Sequence, residues 1–141
     1  MIASLHVRVL ADTGPLVAIL DEADAQHAAC INALGRIRPP LLTTWPVVTE
    51  AAWLLRHRPQ ALQRLYTGVD DGLLQIVQLD EATLSIFAAI KSRFRSLDLQ
   101  LADMSLVWLA EQQRLNTIFT LDRRDFDVIR KKSHRPLVLL P

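Results

Sequence analysis

The sequence predicts an α/β protein, a three-layer α/β/α sandwich around a central, mostly parallel sheet of about five strands. Short apolar runs alternate with longer segments of helical periodicity, and this alternation implies right-handed βαβ units with helices on both faces of the sheet. Half of the 141 residues are apolar, which is enough to fill one core. No internal repeat or long linker divides the chain, so we expect residues 1–141 to form a single domain.

The first third of the predicted fold is a strand followed by two helices. Residues 7–11 are short, apolar and β-branched, as in a buried strand, and they end in a polar turn. A proline after that turn favours a short helix at residues 15–20, because proline suits the first turn of a helix. Residues 24–35 follow as a helix that an aspartate begins and a glycine ends.

The middle of the chain predicts two strands on either side of a helix pair. Residues 41–44 and residues 74–77 are the strands, both short and apolar. Between them, one proline opens a helix at residues 46–58 and a second proline opens a fresh helix at residues 59–70.

The last third predicts two helices and two strands. Aspartates are suited to cap the helices at residues 80–94 and 99–113, the second through Asp98. Residues 117–119 and residues 137–140 are the remaining strands.

Composition excludes several classes of protein. Cys30 is the single cysteine, which excludes an internal disulfide framework and a cysteine-rich zinc site. No apolar run approaches the roughly 18 residues of a membrane span, and the start lacks the features of a signal peptide, so we expect a soluble cytoplasmic protein. The net charge of +1 argues against a general polyanion binder.

One segment is nevertheless strongly basic. Residues 123–135 contain six basic and two acidic side chains, a local charge of +4. The segment is either a solvated face or a rim that binds phosphates. The candidate phosphate-binding residues are Arg123, Arg124, Lys131 and Lys132.

Two acidic residues follow predicted strands. Asp12 ends the first strand and Asp122 follows the fourth. Ligands of open parallel sheets bind beyond the carboxyl ends of the strands, so these two carboxylates could share one ion if their strands are neighbours. Each could instead cap the helix that follows it.

Two further acids lie on the apolar stripes of predicted helices. Glu50 shares a face with Val47, Ala51 and Leu54, and Asp103 interrupts a stripe of leucines and alanines. A carboxylate removed from water is costly unless it is paired or binds a metal, so each is either a partner of a buried arginine or a metal ligand. Oxygen ligands without cysteine or a histidine pair favour Mg²⁺ or Mn²⁺.

Five short segments occur in a fixed order around these acids. They are residues 12–18 (DTGPLVA), Asp24 with His27 and Ala28, residues 45–51 (WPVVTEA), residues 101–103 (LAD) and residues 120–126 (TLDRRDF). Together they resemble a PIN-domain ribonuclease, in particular the VapC-type toxin of bacterial toxin–antitoxin pairs. The resemblance extends over residues 8–126, nearly the whole chain.

The resemblance implies a set of roles for the site. The metal-binding and catalytic quartet would be Asp12, Glu50, Asp103 and Asp122, with Thr13 and Thr120 as supporting hydroxyls and Asp125 as an accessory acid. The implied reaction is hydrolysis of RNA phosphodiester bonds with Mg²⁺ or Mn²⁺, leaving 5′-phosphate and 3′-hydroxyl ends. The implied partners are a small antitoxin protein and a second copy of the chain in a homodimer.

Several alternatives stay open at the level of sequence. A catalytically silent PIN-like module that serves as a binding partner or RNA scaffold would explain the fold but not four retained acids. Trp45 borders the Glu50 motif and could stack on a base, although packing against the next helix is the preferred interpretation.

A second RNA path could run along Arg56, Arg58, Arg93 and Arg95, and an antitoxin could use either the basic segment or the helix at residues 80–94.

Overall fold

The computed structural model describes residues 8–132 and 138–141. Within these residues one parallel sheet of five strands has the order β3-β2-β1-β4-β5. The strands are β1 (Leu10–Ala11), β2 (Leu41–Thr44), β3 (Leu74–Val77), β4 (Thr117–Phe119) and β5 (Val138–Leu140). The predicted α/β sandwich is confirmed, and the sheet is entirely parallel rather than mostly so.

Seven helices connect the strands in the described part of the chain. They are α1 (Thr13–Leu20), α2 (His27–Leu34), α3 (Trp45–Leu54), α4 (Pro59–Tyr66), α5 (Thr83–Arg93), α6 (Leu101–Gln112) and α7 (Arg123–Lys132). None of these helices has the length and apolar character needed to cross a membrane. Helices α1, α3 and α7 begin soon after the strands that precede them, so their first turns lie at the carboxyl edge of the sheet.

Three strands have the predicted bounds, whereas most helices differ at an end. The first strand is confined to Leu10–Ala11. Residue 7 of the first predicted strand and residue 137 of the last predicted strand lie outside the described residues. The helix predicted at residues 46–58 ends at Leu54, and the one predicted at residues 59–70 ends at Tyr66.

Three predicted capping aspartates lie outside their helices. The carboxylates of Asp24 and Asp80 each accept a backbone N–H two residues later, and these local turns delay the helix starts to His27 and Thr83. Asp98 is not the cap of α6, because Gln100 is. Short polar side chains that bond the backbone nearby compete with helix formation, which explains the late starts.

Buried apolar residues fix the positions of the neighbouring strands β1 and β4. Leu10, Ile118 and Phe119 are fully buried, as expected for strands covered on both faces. Leu10 is in register with Leu42 on one side and with Ile118 on the other. Helix α6 packs against α3, α5 and β2. The residues after β1 and β4 therefore lie side by side, with the starts of α3 and α6 beside them.

Candidate active site

Asp12 lies at the centre of the carboxyl edge of the sheet. Its backbone N–H continues the ladder by donating to the Phe119 carbonyl at 2.9 Å, and its side chain is only 6% exposed. One carboxylate oxygen accepts the Thr13 N–H at 2.8 Å, so Asp12 is also the N-cap of α1. Burial, opposed in part by hydrogen bonds, raises the pKa of Asp12 to about 6.

Thr120 joins the two strand-end acids. Its buried hydroxyl donates to Asp12 Oδ2 at 2.8 Å and accepts the Asp122 N–H at 3.0 Å. Asp122 itself is exposed, and its Oδ1 accepts the Asp125 N–H at 3.2 Å in the first turn of α7. Asp122 therefore accepts a hydrogen bond from the first turn of α7, as the capping alternative expects. It is also linked to Asp12 through the Thr120 hydroxyl.

Glu50 reaches the site from α3 through Thr13. The Thr13 hydroxyl donates to Glu50 Oε2 at 3.0 Å. The expectation that Glu50 lies on a buried face is wrong, because Glu50 is exposed and Leu54 is 52% exposed. Helix α3 buries Val47 and Ala51, so Glu50 lies at the edge of the buried stripe and extends over the end of the sheet.

Asp103 is half-buried in the first turn of α6. Its Oδ2 accepts the Gln100 N–H at 3.0 Å, which completes a capping box. Burial, with further contributions from the negative charges of Asp122, Glu50 and Asp125, raises its pKa. A capping box thus explains part of why an acid occurs here, but not its raised pKa.

The negative charges of neighbouring acids raise pKa values in this site, although the charge of Arg124 lowers that of Asp125 in part. The charges of Asp103 and Glu50 contribute to the raised pKa of Asp12, and Asp122 contributes, after burial, to a raised pKa at Asp125. Within the described residues the salt bridges join other pairs, and none includes a member of the quartet. The alternative in which Glu50 or Asp103 neutralises an arginine therefore finds no support.

The donor chemistry of this site fits a hard divalent cation. All the side chains involved offer oxygen atoms, and the two most buried acids have raised pKa values that a nearby positive charge would lower. In residues 8–132 and 138–141 no three acidic, histidine or cysteine side chains already form a group that could hold an ion. Ion binding therefore requires adjustment of the exposed carboxylates, while Asp12 is already oriented.

The basic residues of α7 lie at its two ends. Arg123 and Arg124 are exposed beside Asp122, and Arg123 Nη1 donates to the Pro141 carbonyl at 3.1 Å. Lys131 and Lys132 are exposed about 12 Å further along the helix, given a rise of about 1.5 Å per residue. The sixth basic position of the segment, residue 135, lies outside the described residues.

Most arginines of the alternative RNA path already contact other residues of the chain. Arg58 pairs with Asp21 at 3.0 Å, and Arg93 pairs with Glu111. The Arg56 guanidinium lies 3.9 Å from the centre of the Trp53 ring. Among the described residues, the start of α7 instead places the exposed Arg123 and Arg124 beside Asp122.

An aromatic groove adjoins Glu50. Trp45, Trp53 and Leu101 are 50%, 64% and 47% exposed, and they line a groove of about 560 Å³ between α3 and the start of α6. Half of the Trp45 surface is exposed, and the preferred expectation that Trp45 packs against the next helix stays a prediction for the buried half. Sequence reasoning missed Trp53 and Leu101, although the spacing of Trp45, residue 49 and Trp53 along one helix face was visible.

Sequence reasoning also missed three fully buried hydroxyls beneath the acids. Thr43 Oγ1 donates to the Ala11 carbonyl at 3.1 Å. The hydroxyls of Thr44 and Ser105 lie 2.6 Å apart, and Ser105 Oγ donates to the Ala102 carbonyl at 2.7 Å. The only clue in the sequence is that polar residues occur at otherwise apolar positions of a strand and a helix.

Known proteins match this chain over most of its length. The profile of the PIN domain family matches residues 9–132. Ribonuclease VapC26 of Mycobacterium tuberculosis is 28% identical over 135 residues, which are 94% of this chain and 100% of the relative.

Two solved structures have a similar fold. Mycobacterium tuberculosis VapC20, described as a toxin that cleaves the sarcin-ricin loop, superposes with a TM-score of 0.76 at 13% identity, over 85% of this chain and 94% of its own. A toxin–antitoxin complex from Klebsiella pneumoniae has a TM-score of 0.65 at 19% identity, over 84% of this chain and 89% of its own. With a matched profile that extends from β1 to the end of α7, and acids gathered at the carboxyl edge of the sheet, this chain belongs to the PIN-domain family.

Proposed function

We propose that this chain is a divalent-metal-dependent endoribonuclease and the toxin of a toxin–antitoxin pair. The observation that carries the proposal is the buried Asp12, whose carboxylate is oriented by Thr13 and Thr120 and whose pKa is raised by burial and by the charges of Asp103 and Glu50. The relative named a ribonuclease covers 94% of the chain and supports the activity. Both similar structures are described as toxins or toxin complexes and support the biological role.

Each acid has a distinct part in the proposed reaction. Asp12 and Asp103 are the ligands held in place by the backbone, and Glu50 and Asp122 are exposed carboxylates that complete the site from either side. Thr13 orients Glu50, and Thr120 orients Asp12. Asp125 is an accessory acid beside Asp122.

The cation is Mg²⁺ or Mn²⁺ in this proposal, because the donors are carboxylate and hydroxyl oxygens. VapC-type PIN-domain ribonucleases in general depend on divalent metal. When bound, such an ion lowers the pKa of water and stabilises charge on the scissile phosphate. Arg123 and Arg124 bind RNA phosphates beside the acids, and Lys131 and Lys132 extend the same contact along α7.

Metal removal tests the proposal directly. Cleavage of RNA by the purified chain should vanish in EDTA, return with Mg²⁺ or Mn²⁺, and leave 5′-phosphate and 3′-hydroxyl ends. Undiminished cleavage in chelator would refute the metal mechanism, and 2′,3′-cyclic phosphate ends would refute hydrolysis without the 2′-hydroxyl.

A silent PIN-like binding or scaffold module is the second candidate. It is favoured by the lack of any group of three candidate ligands that could hold an ion in the described residues. Calorimetric titration of Mn²⁺ into the metal-free chain separates the two, because a silent module should bind the ion no better than an Asp12→Asn variant.

A small antitoxin and a second copy of the chain are the proposed protein partners. The complex from Klebsiella pneumoniae supports the antitoxin, and the exposed Leu84 of α5 offers it an apolar contact. The exposed Trp45, Trp53 and Leu101 supply a second apolar surface for the homodimer. Because cellular RNA is the substrate, the proposed site of action is the cytoplasm.

Self-association is tested by light scattering. Trp53→Glu should convert a dimer into a monomer, while Leu84→Glu should leave the dimer intact and weaken the antitoxin complex. A wild-type chain that is monomeric at micromolar concentration would refute the homodimer.

A further inference from the structure

Two adjacent threonines at the end of β2 connect to the two most buried acids of the site. Thr43 and Thr44 are both completely buried, and their hydroxyls make hydrogen bonds to different elements, β1 and α6. Successive side chains of a strand point to opposite faces of the sheet, so one strand end can serve two neighbouring elements.

The Thr43 hydroxyl acts on the backbone of Asp12. It donates to the Ala11 carbonyl at 3.1 Å, and that carbonyl belongs to the peptide bond between Ala11 and Asp12. A peptide group is planar, so a bond to its oxygen also restrains the N–H and Cα of the next residue. Thr43 therefore restrains the plane from which the Asp12 side chain projects.

The Thr44 hydroxyl acts on the backbone of Asp103 through Ser105. Ser105 donates its only hydroxyl proton to the Ala102 carbonyl at 2.7 Å, so Thr44 must be the donor in the 2.6 Å contact between the two hydroxyls. The Ala102 carbonyl belongs to the peptide bond that precedes Asp103. The arrangement at Asp103 thus repeats the one at Asp12, with one additional hydroxyl in between.

The ordinary role of a threonine at position 44 does not explain this contact. Thr44 is the residue before α3, where a threonine side chain usually accepts a backbone N–H from the first helical turn. Its side chain makes no such capping bond, and Pro46 removes one of the available N–H groups. The hydroxyl is directed across to α6 instead.

We infer that Thr43, Thr44 and Ser105 are positioning residues that set the placement of Asp12 relative to Asp103, and through it the affinity of the site for a divalent cation. The inference rests on the proposed function for its catalytic consequence, although not for the geometry. Groups that orient metal ligands from behind typically change metal affinity or activity 10–100-fold when they are removed.

The test removes each hydroxyl at nearly constant volume. Thr43→Val, Thr44→Val and Ser105→Ala should each weaken Mn²⁺ binding in calorimetry by about tenfold and lower kcat by about 10–100-fold, with the KM for RNA unchanged. The Thr44→Val/Ser105→Ala double variant should lose little more than either single variant, because both changes interrupt one chain of hydrogen bonds.

Two matched variants control for stability. Thr117→Val makes the same chemical change in a buried strand residue without a link to the acids, and it should leave the affinity and kcat unaltered. Thr44→Ser keeps the hydroxyl and should retain wild-type affinity. If Ser105→Ala fails to fold, Ser105→Cys keeps the volume with a weaker hydrogen-bonding group and should shift Mn²⁺ affinity in the same direction.

The outcomes distinguish this inference from the proposed function. Variants that lose only thermal stability, with the Mn²⁺ affinity and kcat of wild type, would overturn the positioning role and leave the ribonuclease intact. A wild type that binds Mn²⁺ but cleaves no RNA would overturn the ribonuclease, and the affinities of the variants would still decide the inference. A wild type that binds no Mn²⁺ would overturn both.

Discussion

The four acids of the site divide into an inner and an outer pair. The inner acids are Asp12, which is buried, and Asp103, which is half-buried; burial raises the pKa of both. The outer acids are Glu50 and Asp122, which are exposed. Each pair contains one strand-end residue and one helix residue, so the type of element does not determine how deeply a carboxylate lies.

The two pairs differ in the free energy that it costs to keep their carboxylates charged. An inner acid has little water to solvate its charge, so its charged form destabilises the metal-free fold. An ion that binds there would offset this destabilisation. An outer acid keeps its water and can rotate toward an ion at little cost. We therefore expect the inner acids to dominate both activity and metal-free stability.

The largest expected effect is the loss of activity on neutralising an inner acid. Asp12→Asn and Asp103→Asn should each lower kcat by about 10³-fold or more, because the residues of a catalytic unit act together. Without metal, both variants should be at least as stable as wild type, because like-charge repulsion is relieved.

Asp70→Asn, which changes an exposed acid in the turn before β3, is the matched control and should retain full kcat and stability. If Asp103 were a partner of a buried cation, Asp103→Asn would instead cost about 3–5 kcal/mol of unfolding free energy. Urea unfolding in EDTA measures this quantity.

The second effect is a pH dependence of metal-free stability. The folded-state pKa of Asp12 is about 6, above its ordinary value of 3.8, so the folded chain holds this proton more tightly than the unfolded chain. Its contribution to stability is fully present below about pH 4 and is lost as the pH rises through about 6, a change on the order of 3 kcal/mol.

Urea unfolding of wild type and Asp12→Asn in EDTA, from pH 4 to pH 7.5, measures the change. The two chains should converge at low pH, and the variant should be the more stable at neutral pH. Parallel curves across this range would show that Asp12 is not the group responsible.

The third effect concerns the outer acids. Glu50→Gln and Asp122→Asn should each lower kcat, but by less than the roughly 10³-fold expected of the inner variants. Metal-free stability should change by no more than about 0.5 kcal/mol, as is usual for exposed positions. Equal losses of kcat in the inner and outer variants would remove the distinction between the pairs.

The smallest effect is expected along α7. Arg123→Ala/Arg124→Ala should weaken RNA binding and flatten the slope of log affinity against log salt by about 1.4, since each phosphate contact on a single strand contributes about 0.7. Lys131→Ala/Lys132→Ala should have a smaller effect, because these lysines lie at the far end of the helix from the acids. Mn²⁺ affinity should be unchanged in both double variants.

Replacing all four basic residues with alanine completes the series. If RNA affinity and the salt slope remain those of wild type, α7 is only a solvated face. The RNA path would then have to follow another surface, such as the one that includes Arg95.

The sequence alone predicted the strands of the sheet and the positions of two acids at strand ends. Residues 41–44, 74–77 and 117–119 are short apolar runs with turns on both sides, and the structure has strands at these positions. Asp12 and Asp122 could be assigned to one edge because the carboxyl ends of parallel strands coincide. These predictions depend on local pattern and on the handedness of βαβ units, which every such chain shares.

Only the tertiary structure decided the depth and support of each acid. Glu50 was expected on a buried face, yet the fully buried residues of α3 are Val47 and Ala51, and the position of a helix on its neighbours is not encoded in its own periodicity. Thr44 and Ser105 are 61 positions apart, so no local pattern could pair them. Long-range contacts depend on how complete elements pack together, and that packing decided which carboxylates are inner, which are outer, and which hydroxyls hold them in place.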